Sequence, residues 1–275
     1  MSSVALPLRV DVRSAADSAL KGAARFWFVA AVAGQWAFLY YIAVFYGPST
    51  LHGNFAAWSR NSFLPKGYVA GDTAGNLAFA VHVMLAAVTS LGGALQLIPR
   101  IRTRAMFLHR WNGRLFFVTA LAVSVSGLYM VWVRNTRANI GTALGITLNA
   151  VLIIFCCVVA WRTALRHDAS THRQWALRAY LVANGQWFFR VGLFAWIIVN
   201  GGPVGISKGM GGPFPLFWGF ACYLLPLAVL ELYLRASGPR QRFAMAAALV
   251  ALTLLMSIGI FGVTMFMWRP MLARL

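Results

Sequence analysis

Seven stretches of the chain are apolar almost from end to end, near 26–46, 76–98, 114–134, 142–165, 174–200, 214–235 and 243–268. Each is about 20 residues long, the length a helix needs to cross a bilayer. In lipid, a continuous run of this length can satisfy its backbone groups only as a helix. The pattern predicts an all-α, polytopic membrane bundle of about seven transmembrane helices. Runs two to five, within 76–200, carry recurring small and polar positions and are expected to form a four-helix core. Residues 1–25 read as a polar N-terminal segment and 26–275 as a single transmembrane domain.

Composition agrees. The chain is 60% hydrophobic and 11% charged, with a mean hydropathy of +0.71, whereas soluble domains carry about 25% charged residues. The net charge of +19 does not indicate a nucleic-acid partner, because the basic residues collect in the connections between runs. With a cytoplasmic N-terminus, sixteen Lys and Arg fall in inside segments and seven in outside ones. That asymmetry follows the positive-inside rule. It predicts an inner-membrane protein with its N-terminus inside and its C-terminus outside. The same charges suit anionic lipid headgroups at the inner surface. Ala31-Val32-Ala33 resembles a signal-peptidase site, but the run 26–46 is too long and too aromatic for a signal core, so it reads as an uncleaved first helix.

The longest connection, about 47–75, holds turn signals such as Gly47-Pro48 and Gly71-Asp72. Its Trp58, Phe63 and Tyr68 suggest a loop lying on the membrane surface. The connection 200–215 is rich in Gly and Pro and reads as a plain loop. Cys156, Cys157 and Cys222 lie inside runs and act as small apolar residues.

Two short elements echo each other: His109-Arg110-Trp111-Asn112-Gly113-Arg114 and His172-Arg173-Gln174-Trp175-Ala176-Leu177-Arg178. Each follows a basic connection and opens an apolar run, so runs two–three and four–five read as a weak internal repeat of hairpins. The two histidines sit at one membrane level. One reading is that His, Trp and Arg anchor helix ends at the lipid interface. Another is that His109 and His172 are axial ligands of a haem b iron, with Arg114 and Arg178 on its propionates.

The fifth run adds Arg190. As one straight helix it places His172 and Arg190 on a single face, five turns and about 27 Å apart. An arginine within the membrane is costly and needs a partner. His82, Asn149 and Tyr129 fall at its level, and no Asp or Glu does. That leaves neutral hydrogen bonds, water or an anionic ligand. His82 reads either as a satisfied core histidine or as a ligand. Glu231 is placed to pair with Arg235, one turn on.

With His82, the element 109–114, the element 172–178 and the downstream Arg190, the segment 76–200 resembles a family of bacterial membrane proteins known as domain of unknown function 2306. The resemblance implies a multi-pass helical fold and no settled activity. In outline the four-helix core is also similar to cytochrome b561-type proteins. It departs from them in lacking a second membrane histidine opposite His82. Fold of this kind does not fix function.

Three readings of function follow. The protein binds haem b and relays electrons between a membrane carrier such as a quinone and a respiratory partner. Alternatively it is a transporter or binding protein for an anionic or lipid-like ligand at Arg190 and His82. In a third reading it assists assembly of a respiratory complex. Phosphate-cradling glycine loops, zinc spacings and nucleophile elbows do not occur.

Overall fold

A computed structural model describes residues 11–61 and 67–273, and they are helical almost throughout. The helices are α1 (Val12–Leu51), α2 (Thr73–Gln96), α3 (Pro99–Arg104), α4 (Met106–Trp132), α5 (Ile140–Leu165), α6 (Ala169–Ala183), α7 (Gly185–Val199), α8 (Pro213–Arg235), α9 (Pro239–Val263) and α10 (Arg269–Leu272). A π-helical turn, Thr264–Trp268, joins α9 to α10. Six helices are long and apolar enough to span a bilayer, and α6 with α7 reaches that length and hydropathy as a bent pair, which makes seven if the pair is one span. The chain is an all-α, multi-pass membrane bundle.

Side-chain caps fix several helix starts. Asp11, Asp72 and Asp168 accept from Arg13, Gly75 and Thr171 backbone N–H groups, and Asn139 forms a capping box with Thr142. We refer to the side with the α2–α4, α5–α6 and α8–α9 connections as the basic end, and to the other as the opposite end.

The bundle is built from paired neighbours: α1 along α9, α2 along α4, and α5 along α6. Glycines set the closest approaches. A Cβ at Gly259 would lie 2.1 Å from the Val191 carbonyl oxygen, so α7 and α9 meet backbone to backbone. A Cβ at Gly93 would lie 2.9 Å from the Tyr180 ring.

Helix α1 starts well before the first apolar run, so residue 25 falls within a continuous helix. Leu20 and Ala23 pack against Ala246 and Leu249 of α9, and Asp17 ion-pairs with Arg242. Trp58 does not lie on the membrane surface. It is 1% exposed, packs in the main core and donates its indole N–H to Ser49. Tyr68 packs against that core as well, while Phe63 lies outside the described residues.

The fifth run is not one helix. It bends by 55° between α6 and α7, at Asn184. The bend separates His172 from Arg190, so the single shared face expected for a straight helix does not form. Helix α6 lies along α5 and also touches α8 and α2, whereas α7 turns towards α9 and α8.

A bend inside a membrane must re-satisfy the backbone it disturbs. Here the Asn149 side chain donates to the Val182 carbonyl at 3.1 Å, and the Asn184 side chain donates to the Tyr180 carbonyl at 2.8 Å. Ser90 donates to Asn184, and Gln35 of α1 donates to the Tyr180 hydroxyl. Gly185 is needed because a Cβ there would lie 2.6 Å from Asn149 Oδ1.

Candidate functional site

Side-chain chemistry concentrates at two places, one at each side of the bend. The two echoing elements both lie at the basic end, His109 in the first turn of α4 and His172 in the first turn of α6. His172 Nδ1 bonds the Ala160 carbonyl oxygen at 2.9 Å. That contact orients the ring and leaves Nε2 uncommitted. The His109 carbonyl accepts from Gln96 at 2.7 Å, while His109 Nδ1 is buried without a hydrogen-bond partner.

The element at 109–114 also docks α4 on α2. Asn112 donates to the Gly92 carbonyl at 2.8 Å, and Gly113 lets Gln96 approach. In both elements the arginine lies over its tryptophan: Arg114 on Trp111 at 4.8 Å and Arg178 on Trp175 at 4.6 Å. The repeat therefore has a shared local geometry. The two arginines are not equivalent, however. Arg178 is ion-paired with Glu231 of α8 at 2.7 Å, and Arg114 is exposed. Glu231 thus pairs across to α6, not with Arg235 one turn along its own helix. Asp168, exposed at the start of α6, is held below the usual carboxylate range by hydrogen bonds from Thr171.

Towards the opposite end, Arg190 of α7 is half-buried. It donates to the Gln186 carbonyl of its own helix at 2.7 Å, and its guanidinium carbon lies 5.7 Å from the centre of the Phe38 ring. Phe38 in turn stacks on Tyr41 at 6.5 Å, and Tyr41 meets Tyr46 edge-on at 6.0 Å, so Arg190 borders an aromatic cluster of α1. His82 bonds Ser126 Oγ at 2.9 Å. Of the expected neighbours, Asn149 is occupied at the bend. Tyr41 and Tyr46 of α1, which the sequence did not single out, take its place. Asn61 donates to both tyrosine hydroxyls, and Trp268 stacks on Tyr41 and Phe38 at 5.6 and 5.4 Å.

The acidic side chains are all engaged elsewhere. The chain has five. Asp17, Asp72 and Glu231 pair with Arg242, Arg134 and Arg178. Asp11 and Asp168 cap helices. No Asp or Glu side chain is left to balance Arg190.

Among the described residues, no three His, Cys, Asp or Glu side chains gather as a metal site. A pair of imidazoles is a different donor set, and His109 with His172 is the pair that could hold a haem.

The family described as "Predicted membrane protein (DUF2306)" matches residues 79–211. Over that segment the chain is similar to the family. The matched segment, just under half of the chain, runs from α2 past α7 and so contains the bend, both echoing elements, His82 and Arg190. It leaves out α1 and the C-terminal turn that complete the surroundings of Arg190. No curated protein and no solved structure matches.

Proposed function

We propose that this protein binds or transports an anionic ligand, held by Arg190 within the membrane bundle. The observation that supports this is the charge on Arg190 without a carboxylate, in a chain whose five acidic side chains are all engaged. A cation in a low-dielectric environment attracts an anion far more strongly than one in water. The bend at Asn184 gives the α7 half of the span a different direction from α6, as in transporters whose broken helices border the binding site. In this reading the protein lies in the inner membrane, N-terminus inside, and Arg190 faces the outer half.

The test is binding of a fluorescent fatty acid and a fluorescent lysophosphatidic acid to purified protein. Arg190→Gln should weaken at least one of them tenfold or more while thermal stability holds. Unchanged binding of both in that variant would overturn the reading.

A second reading rests on the basic end. His172 is oriented through Nδ1 by a backbone carbonyl, as ligating histidines commonly are, and His109 offers a buried ring nitrogen without a partner. His109 and His172 would hold haem b, with Arg114 on a propionate, since Arg178 is engaged by Glu231. A bound haem would supply one-electron transfer, to a quinone or a respiratory partner. Dithionite-reduced spectra decide it: sharp six-coordinate bands lost in His109→Ala and His172→Ala support it, and a colourless protein from haem-replete cells removes it.

A further inference from the structure

Three buried groups with a hydrogen to donate come from α7 and from the C-terminal turn. Trp268 is 2% exposed, and its indole Nε1 is buried with no acceptor. Thr264 Oγ1, four residues earlier in the π-helical turn, is likewise buried and unpartnered. Trp187, also 2% exposed, supplies the third unpartnered donor and the second indole nitrogen, one turn before Arg190 on α7. A native interior pairs nearly all of its buried donors, so an unpaired one calls for an acceptor. An indole N–H can only donate, so rotating the side chain does not change what is needed.

The geometry links these donors to Arg190 through one ring. Phe38 stacks on Trp268 at 5.4 Å and carries the Arg190 guanidinium at 5.7 Å. Trp187 packs at Gly34, one turn before Phe38 on α1. Arg190 and Trp268 therefore share Phe38 as a neighbour, one reaching it from α7 and the other from the C-terminal turn. The turn is π-helical, with the Arg269 N–H bonding the Thr264 carbonyl. Single π-turns interrupting α-helices occur frequently at functional sites.

Resting on the anionic-ligand reading, we infer that the ligand is a phosphate group and that Trp268 and Thr264 complete its cradle with Arg190. A planar carboxylate is satisfied by one edge of a guanidinium. Donors arriving from a second element suit the additional, out-of-plane oxygens of a tetrahedral oxyanion. The group belongs either to a lipid headgroup or to free phosphate.

The experiment compares lysophosphatidic acid with a fatty acid of the same chain length in wild type, Trp268→Phe, Thr264→Val and Arg190→Gln. Trp268→Phe keeps the stacked ring and removes the N–H. It should weaken the phosphate probe about tenfold, the size of one hydrogen bond to a charged group, and leave the fatty acid unchanged. Thr264→Val should act in the same direction. If both variants bind the phosphate probe as wild type does while Arg190→Gln loses it, the phosphate cradle is wrong and the anionic-ligand reading stands. If Arg190→Gln is also without effect, both fall. Equal losses for the two probes in Trp268→Phe and Thr264→Val also overturn the phosphate assignment. Competition of the bound probe by millimolar inorganic phosphate identifies free phosphate as the source, and competition by phosphatidic acid vesicles alone identifies a lipid headgroup.

Discussion

The Asn149 side-chain amide donates to the Val182 carbonyl at 3.1 Å, in the last turn before the fifth span bends. Asn149 is 3% exposed, so no water replaces it easily. Hydrogen bonds between membrane helices contribute about 0.6–2 kcal/mol. Asn149→Leu, which cannot donate, should destabilise the bundle by about 1 kcal/mol, read as a lower melting temperature in detergent. A melting temperature equal to wild type would mean that the bend does not need this donor.

The contact between α7 and α9 predicts a larger effect. Gly259→Val places carbon where the Val191 carbonyl stands, since even a Cβ would come within 2.1 Å of it. Overpacking of a tight interior costs about 1–3 kcal/mol, and a backbone clash belongs at the top of that range. Gly22→Ala is the control, because nothing lies within 4 Å of its Cβ position. Gel filtration and thermal melts of the two variants should differ clearly. Similar profiles would contradict the close approach.

Arg178 and Glu231 join α6 to α8. Glu231 is about one third exposed, at 34%, so solvent screens part of the attraction. A double-mutant cycle with Arg178→Gln and Glu231→Gln should give a coupling of about 1 kcal/mol. A matching cycle with Arg235→Gln should give none, because Glu231 pairs across the bundle and not along its own helix.

Acid should loosen the start of α6. Thr171 holds the Asp168 carboxyl below its ordinary value, so the capped helix favours the ionised form. The stabilisation is present above the pKa of the unfolded chain. It is lost as pH falls through the lower, folded value. Hydrogen exchange of the Thr171 and His172 amides should therefore show excess opening in that acid window. Asp168→Asn, which keeps a capping oxygen, should lack the pH-dependent component. An identical acid response in both proteins would remove Asp168 as its source.

The six long helices and the bent α6–α7 pair were legible in the sequence as runs of about 20 apolar residues, the length that crosses lipid. The bend was hidden by the same property. Asn184-Gly185 is a turn signal in a soluble chain, but the apolar residues around it read as one continuous run. Arg190, His82 and the two echoing elements were visible as costly or repeated residues. Their neighbours were not. Tyr41, Tyr46 and Trp268 come from α1 and the C-terminal turn, 144 or more positions from Arg190 on one side and 78 on the other by SEQ numbering. Nothing in local spacing indicates such distant contacts. The Glu231–Arg178 pair went unread for the same reason: it joins residues 53 positions apart.

The division of the fifth span also bears on how the chain enters the bilayer. Helix α6 carries His172, Arg173, Gln174 and Arg178, so this half partitions poorly into lipid by itself. Its neighbour α5 is the most apolar of the six long helices, with a mean hydropathy of 2.6 over its best window. The fifth span therefore relies on the α5 face it lies along, where the Asn149 amide donates to the Val182 carbonyl across the hairpin.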